Sequence, residues 1–158
     1  MDLRSRVGAA LKDAMRSKDA TRLSTLRLIN AAIKDREIAL RGADRDGRRD
    51  EGGVDDAEVR AILARMVKQR QESARAYEEG GRLDMAEGER EEIAILEAFL
   101  PRQLDEAEVS AAIDEAVAET GAEGLRDMGR VMAALKARHA GQMDFGRVGP
   151  MVKARLAG

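Results

Sequence analysis

Three side chains with chemical capacity share one helical face, because Arg70, Ser73 and Tyr77 lie at i, i+3 and i+7. Arg82, Asp84 and Glu89 follow across Gly80-Gly81. A chain that doubles back at those glycines brings the two sets together, and guanidinium and carboxylate then pair through charge-assisted hydrogen bonds. Such a cluster can hold a ligand or fix a helical hairpin. We read these six residues as a polar clamp, with a ligand site as the alternative. Glu87, Glu89, Glu91 and Glu92 crowd the same region. Paired carboxylates can do acid–base work, but nothing here supplies a pocket with apolar walls. A solvated or ion-paired face is the simpler reading.

A second set is basic. Arg126, Arg130, Lys136, Arg138, Arg147, Lys153 and Arg155 all fall in the last third and can contact phosphates. Arg130 and Lys136 are six apart, so they do not share one narrow stripe. With two Phe, one Tyr and no Trp, the chain has little on which to stack unpaired bases. A structured RNA read by shape and backbone fits better, and no DNA partner is expected. The formal charge of −2 hides this asymmetry. Residues 1–42 hold ten Lys/Arg against five Asp/Glu, residues 43–125 eleven against twenty-three, and residues 126–158 seven against two. A basic end can meet a polyanion even when the whole protein is acidic. It can equally balance the acidic middle within the fold.

Inventory excludes most other chemistry. With no cysteine, disulfides and thiolate metal sites are ruled out. The single histidine, His139, rules out a two-histidine metal motif. It falls near a helix C-terminus, where an imidazolium is favoured, and we read it as a cap rather than a catalyst. No phosphate-cradling glycine loop and no Ser-x-x-Lys nucleophile pattern are present. We therefore expect no catalytic residue, no metal and no cofactor. The N-terminal Met1-Asp2-Leu3-Arg4 lacks the apolar run of a signal peptide, and no stretch approaches a membrane span. The expectation is a cytosolic protein.

The elements that must position these residues are helical. Ala, Leu, Met, Glu, Arg and Lys dominate, all strong helix formers. Leu3, Val7, Leu11 and Met15 mark a helix over 2–17, and Leu23, Leu26, Ile29 and Ile33 a second over 20–41, stopped at Gly42. Residues 42–54, GADRDGRRDEGGV, cannot bury a face and read as a mobile loop. Their Asp44-Arg45-Asp46-Gly47 lacks the remaining carboxylate positions of a calcium loop. Asp55 or Asp56 can cap a third helix to Glu79, ended by Gly80-Gly81, and a fourth spans 83–98. Leu100-Pro101 then breaks the chain.

Asp105 with Glu108 makes a capping-box variant for a fifth helix to 119. Asp127 can cap a sixth that closes near Gly141, and Asp144 starts the last. Pro150 lies inside that last helix, so a kink or restart is expected at Gly149-Pro150. No segment alternates with period two. The fold class is all-α and multihelical: an N-terminal helical bundle over 1–100 and a smaller C-terminal three-helix subdomain over 102–158.

With these segments placed, the chain resembles the GatB/YqeY family over essentially its whole length. The resemblance rests on Leu26-Arg27-Leu28-Ile29-Asn30-Ala31-Ala32-Ile33-Lys34-Asp35-Arg36-Glu37-Ile38, on Met66-Val67-Lys68-Gln69-Arg70-Gln71-Glu72-Ser73, and on Gly81-Arg82-Leu83-Asp84-Met85. Leu100-Pro101-Arg102-Gln103-Leu104, Asp127-Met128-Gly129-Arg130-Val131-Met132, Gly141 and Val152-Lys153 complete it. Each piece is short, and their order and spacing together are specific.

The resemblance implies a two-subdomain helical protein whose C-terminal part looks like the tail of the B subunit of the tRNA-dependent glutamine amidotransferase. It implies tRNA, or the machinery of tRNA synthesis, as partner, with Arg130 and the basic residues after it as the contacts. It also brings a label, carbon–nitrogen ligase activity with glutamine as amido donor. The ATP-dependent kinase core that precedes the tail, and the amidase machinery, have no counterpart in this sequence. The reading that follows is an accessory or RNA-contacting module. The alternatives are an amido-transfer activity, alone or as a subunit, and a protein-interaction module without an RNA role.

Overall fold

The computed structural model describes residues 2–43 and 54–158. Among these residues there are seven α-helices, one short 3-10 helix and no strand. The expected loop over 42–54 and its Asp44-Asp46 fragment lie largely outside the described residues. The chain divides into two units, one running to Leu100 and the other Pro101–Gly158. The division falls where α4 has ended and a proline follows, so helical geometry cannot pass through.

The first unit holds α1 (Leu3–Ser17), α2 (Ala20–Ala43), α3 (Asp56–Glu79) and α4 (Leu83–Glu97). The starts of α1, α2 and α3 have a chemical cause. The Asp2 carboxylate accepts from the Ser5 amide at 2.7 Å, Asp19 from Arg22 at 3.1 Å and Asp55 from Glu58 at 2.9 Å. Of the two candidate caps before α3, Asp55 does the capping. Asp56 instead accepts from the Leu3 amide at 3.0 Å and ties the start of α1 to that of α3. Gly80 and Gly81 end α3, and Gly81 takes a left-handed φ of 75° that suits a residue without Cβ.

The apolar faces of α1 to α4 meet in one core, in which Leu26, Ile29, Val59, Leu63 and Leu96 are fully buried. Two polar groups enter it. Thr25 bonds its hydroxyl back to the Thr21 carbonyl at 3.0 Å. Glu37, 9% exposed, pairs with Arg4 of α1.

The second unit holds α5 (Glu106–Thr120), a 3-10 helix (Leu125–Asp127), α6 (Met128–His139) and α7 (Phe145–Ala157). Its core joins Val109, Ile113, Val131, Leu135, Val148 and Val152. The capping box at α5 is complete in both directions, between Asp105 and Glu108. Gly121, with φ of 64°, closes α5.

One expectation fails here, and so does the restart half of another. Asp127 does not cap α6 with its side chain, because the preceding 3-10 turn already leads into the helix and the carboxylate is engaged elsewhere. Nor does α7 restart at Pro150: it runs as one helix from Phe145 to Ala157. The neighbours explain the tolerance. Gly149, before the proline, has no Cβ to meet the ring. The carbonyl that loses its donor belongs to Gly146, and Gly146 and Pro150 are both exposed, so water can serve that oxygen.

Candidate functional site

In the second unit, α5 presents acids and the segments after it present bases. The structure separates those bases into two groups. Arg130 spans a turn, donating to the Thr120 carbonyl at 3.0 Å and to Asp127 at 2.8 Å. It thereby supplies a donor to the last carbonyl of α5. Asp127 also accepts the Glu123 amide at 3.0 Å, and this bond together with Arg130 holds its carboxyl down to about 2. Arg138 reaches two acids of α5, Glu115 at 3.0 Å and Glu119, and these raise its already high pKa. Arg155 pairs with Asp114 at 3.0 Å. All three arginines are committed to holding the unit together.

The others are disposed differently. Lys136 has its ammonium 6.0 Å from the Phe145 ring centroid, a cation–π arrangement that leaves the residue exposed. Arg126, Arg147 and Lys153 are exposed, and among the described residues none of them forms an ion pair. Arg126 stands on the 3-10 helix. On α7, Arg147 lies near the middle of the solvent face and Lys153 at its side, opposite the stripe of Val148 and Val152.

The motif residues that open this unit are structural. Leu104 donates its amide to the Gln142 carbonyl at 2.9 Å, and the Gln103 side chain reaches the Gly141 carbonyl. The Gln142 side chain returns to the Arg102 carbonyl at 3.3 Å. His139, the last residue of α6, stands 3.0 Å from the Gln142 amide oxygen through Nδ1, which must carry the hydrogen. Segment 102–104 is thus stitched to the α6–α7 connection. Arg102 also forks onto Glu108, with bonds of 2.8 and 2.6 Å, and this pair with the Asp105 amide pulls the Glu108 carboxyl down to about 2.

The polar set of the first unit is only partly gathered. Arg70 bonds Glu92 of α4 at 2.9 Å and turns another nitrogen to the Met66 carbonyl at 3.4 Å. Arg82 meets Asp84 locally at 3.6 Å, both well exposed. Tyr77 and Glu89 are half-buried and Ser73 is exposed. The cross-helix partner is Glu92, one of the carboxylates of the expected solvated or ion-paired face. Arg90 of α4 pairs with Glu78 of α3 as a second tie. This arrangement braces an α3–α4 hairpin.

Among the described residues no group of acids and histidine is disposed to hold a metal ion. No described helix is long and apolar enough to cross a membrane.

Comparison with known proteins follows the same outline. The chain is 29% identical over 111 residues to "Altered inheritance of mitochondria protein 41, mitochondrial" of Lachancea thermotolerans, covering 69% of this chain and 54% of that protein. Proteins of the same name from Clavispora lusitaniae and Eremothecium gossypii are 35% and 33% identical over 90 residues. Those matches cover 57% of this chain and 46% and 44% of the relatives, so the chain spans about half the length of the curated relatives it matches. A family model described as YqeY-like protein matches residues 4–156, and the chain belongs to that family.

Proposed function

We propose that this protein is a non-catalytic RNA-contacting module, an accessory of tRNA-dependent amidation, whose C-terminal unit touches the phosphate backbone of a tRNA. The observation that carries the reading is the division of the basic residues. Arg130, Arg138 and Arg155 are consumed by the fold, while Arg126, Lys136, Arg147 and Lys153 remain exposed. Surface ion pairs add little stability and solvated cations add none. Cations left unpaired on a unit whose acids recruit every arginine within reach are therefore available to an external anion.

The reading narrows the candidate set to Arg126, Lys136, Arg147 and Lys153 as contacts, and makes Arg130 and Arg138 supports. Of the polar cluster of Arg70, Ser73, Tyr77, Arg82, Asp84 and Glu89, Arg70 serves the bracing of α3 and α4 through Glu92, and Arg82 pairs locally with Asp84. Cytosolic placement is part of the same proposal; the three relatives are named as mitochondrial proteins.

The test is a titration of a tRNA transcript with the wild type and with the triple variant R126E/R147E/K153E. The reading predicts an affinity loss of about tenfold or more for the variant, with helicity unchanged. Equal affinity for the two proteins contradicts it.

A further inference from the structure

The outer face of α2 carries a second row of cations that the C-terminal site does not use. Arg27, Lys34 and Arg41 follow one another at intervals of seven residues. Seven residues make nearly two turns, so the three lie within about 40° of one line and about 10 Å apart along it. All three are exposed, as are Ala31 and Ile38 between them. α2 buries Leu26, Ile29, Ile33 and Glu37 on a face about 100° round the helix from the row, which leaves the row on an exposed flank.

Among the described residues, the acids nearby form no ion pair with it. Glu37, three residues from Lys34, is turned into the core and held by Arg4. Asp35 lies to one side of the line, and among the described residues it forms no ion pair with the row. Neutral residues occupy the positions three and four before Arg27 and after it: Leu23, Ser24, Asn30 and Ala31. Arg130, Arg138 and Arg155 each meet a carboxylate within one turn or across a helix. Among the described residues, Arg27 and Lys34 form no ion pair.

We propose that this face of α2 is a second contact surface for a phosphate backbone, so that the N-terminal unit grips the same RNA as the C-terminal unit. The inference rests on the RNA reading given above and extends it to a surface on the other unit. A straight row of cations at regular spacing suits a regular polyanion, and each cation that neutralises a phosphate adds to the salt dependence of binding. Only one large apolar side chain, Ile38, lies on the line, which is too little for burial in a membrane interface.

The experiment compares four proteins against a tRNA transcript at several salt concentrations: wild type, R27E/K34E/R41E, the charge-conserving control R27K/K34R/R41K, and R126E/R147E/K153E. Vesicles of phosphatidylglycerol serve as a second polyanion. The inference predicts that R27E/K34E/R41E weakens tRNA binding about tenfold or more and lowers the salt slope by about 2–3, while the control binds like wild type. Should the reversal at α2 leave affinity and slope unchanged while the C-terminal reversal weakens both, the inference is overturned and the proposed function stands. Failure of the wild type to bind tRNA overturns both. Vesicle binding lost with the α2 reversal, without any change in tRNA affinity, assigns the row to a lipid surface and also overturns the inference. If the glutamate variant loses helicity, R27Q/K34Q/R41Q replaces it, with a smaller loss expected in the same direction.

Discussion

Arg130 and Arg147 carry the same charge in opposite situations. Arg130 is held between the Thr120 carbonyl and Asp127, whereas Arg147 faces solvent. Arg130→Ala is expected to lower the thermal midpoint by a few degrees and leave the salt dependence of RNA binding as in wild type. Arg147→Ala is expected to do the reverse. Thermal melts and titrations on the two single variants check both.

The carboxylates allow a pH test. The folded pKa values of Glu108 and Asp127 are about 2, depressed from ordinary values of 4.5 and 3.8. A depressed acid stabilises the folded state above its unfolded pKa, and that contribution is lost as pH falls through the folded value. Glu108→Gln and Asp127→Asn are therefore expected to lower the midpoint at neutral pH, with the difference from wild type shrinking below pH 4.5 and vanishing near 2. A difference that stays constant to pH 2 contradicts the assignment. The sequence revealed the charges of these residues but not their partners. Arg138 lies 23 residues from Glu115, and Arg155 lies 41 from Asp114. No local pattern encodes pairs at such separations.

At the scale of elements, apolar periodicity made nearly every helix readable, because each packs a single stripe against a core. Asp105 with Glu108 marked the start of α5 to the residue. What escaped was decided by neighbours. The 3-10 turn at Leu125–Asp127 is too short for periodicity to show, and it displaced Asp127 from capping. Pro150 is tolerated inside α7 because Gly149 has no Cβ to meet its ring and the Gly146 carbonyl is open to water. Replacing it should now help: Pro150→Ala restores a backbone donor to α7 and is expected to stabilise the protein, by up to about 3 kcal/mol, in a denaturant titration. Leu135→Ala removes a side chain only 1% exposed from the core of the C-terminal unit, and should cost about 2–5 kcal/mol in the same titration.

At the scale of the molecule, the C-terminal unit is not basic. Residues 101–158 hold eight Lys/Arg and nine Asp/Glu. Its affinity for a polyanion must come from local placement, with bases on the 3-10 helix, α6 and α7, and acids concentrated on α5. Attraction between exposed charges of this kind weakens as salt rises. The all-α class and the family were legible from periodicity and from the order of short motifs. The division of bases into committed and available ones was not, since it depends on which carboxylate each guanidinium reaches in three dimensions. The most direct test of the account is the affinity of the wild-type protein for a tRNA transcript as a function of salt. The account predicts that log affinity falls linearly with log salt, with a slope of about −3 or steeper, as expected for four or more phosphates neutralised at about 0.7–0.9 each. Binding that is undetectable at low salt, or that is insensitive to salt, would contradict it.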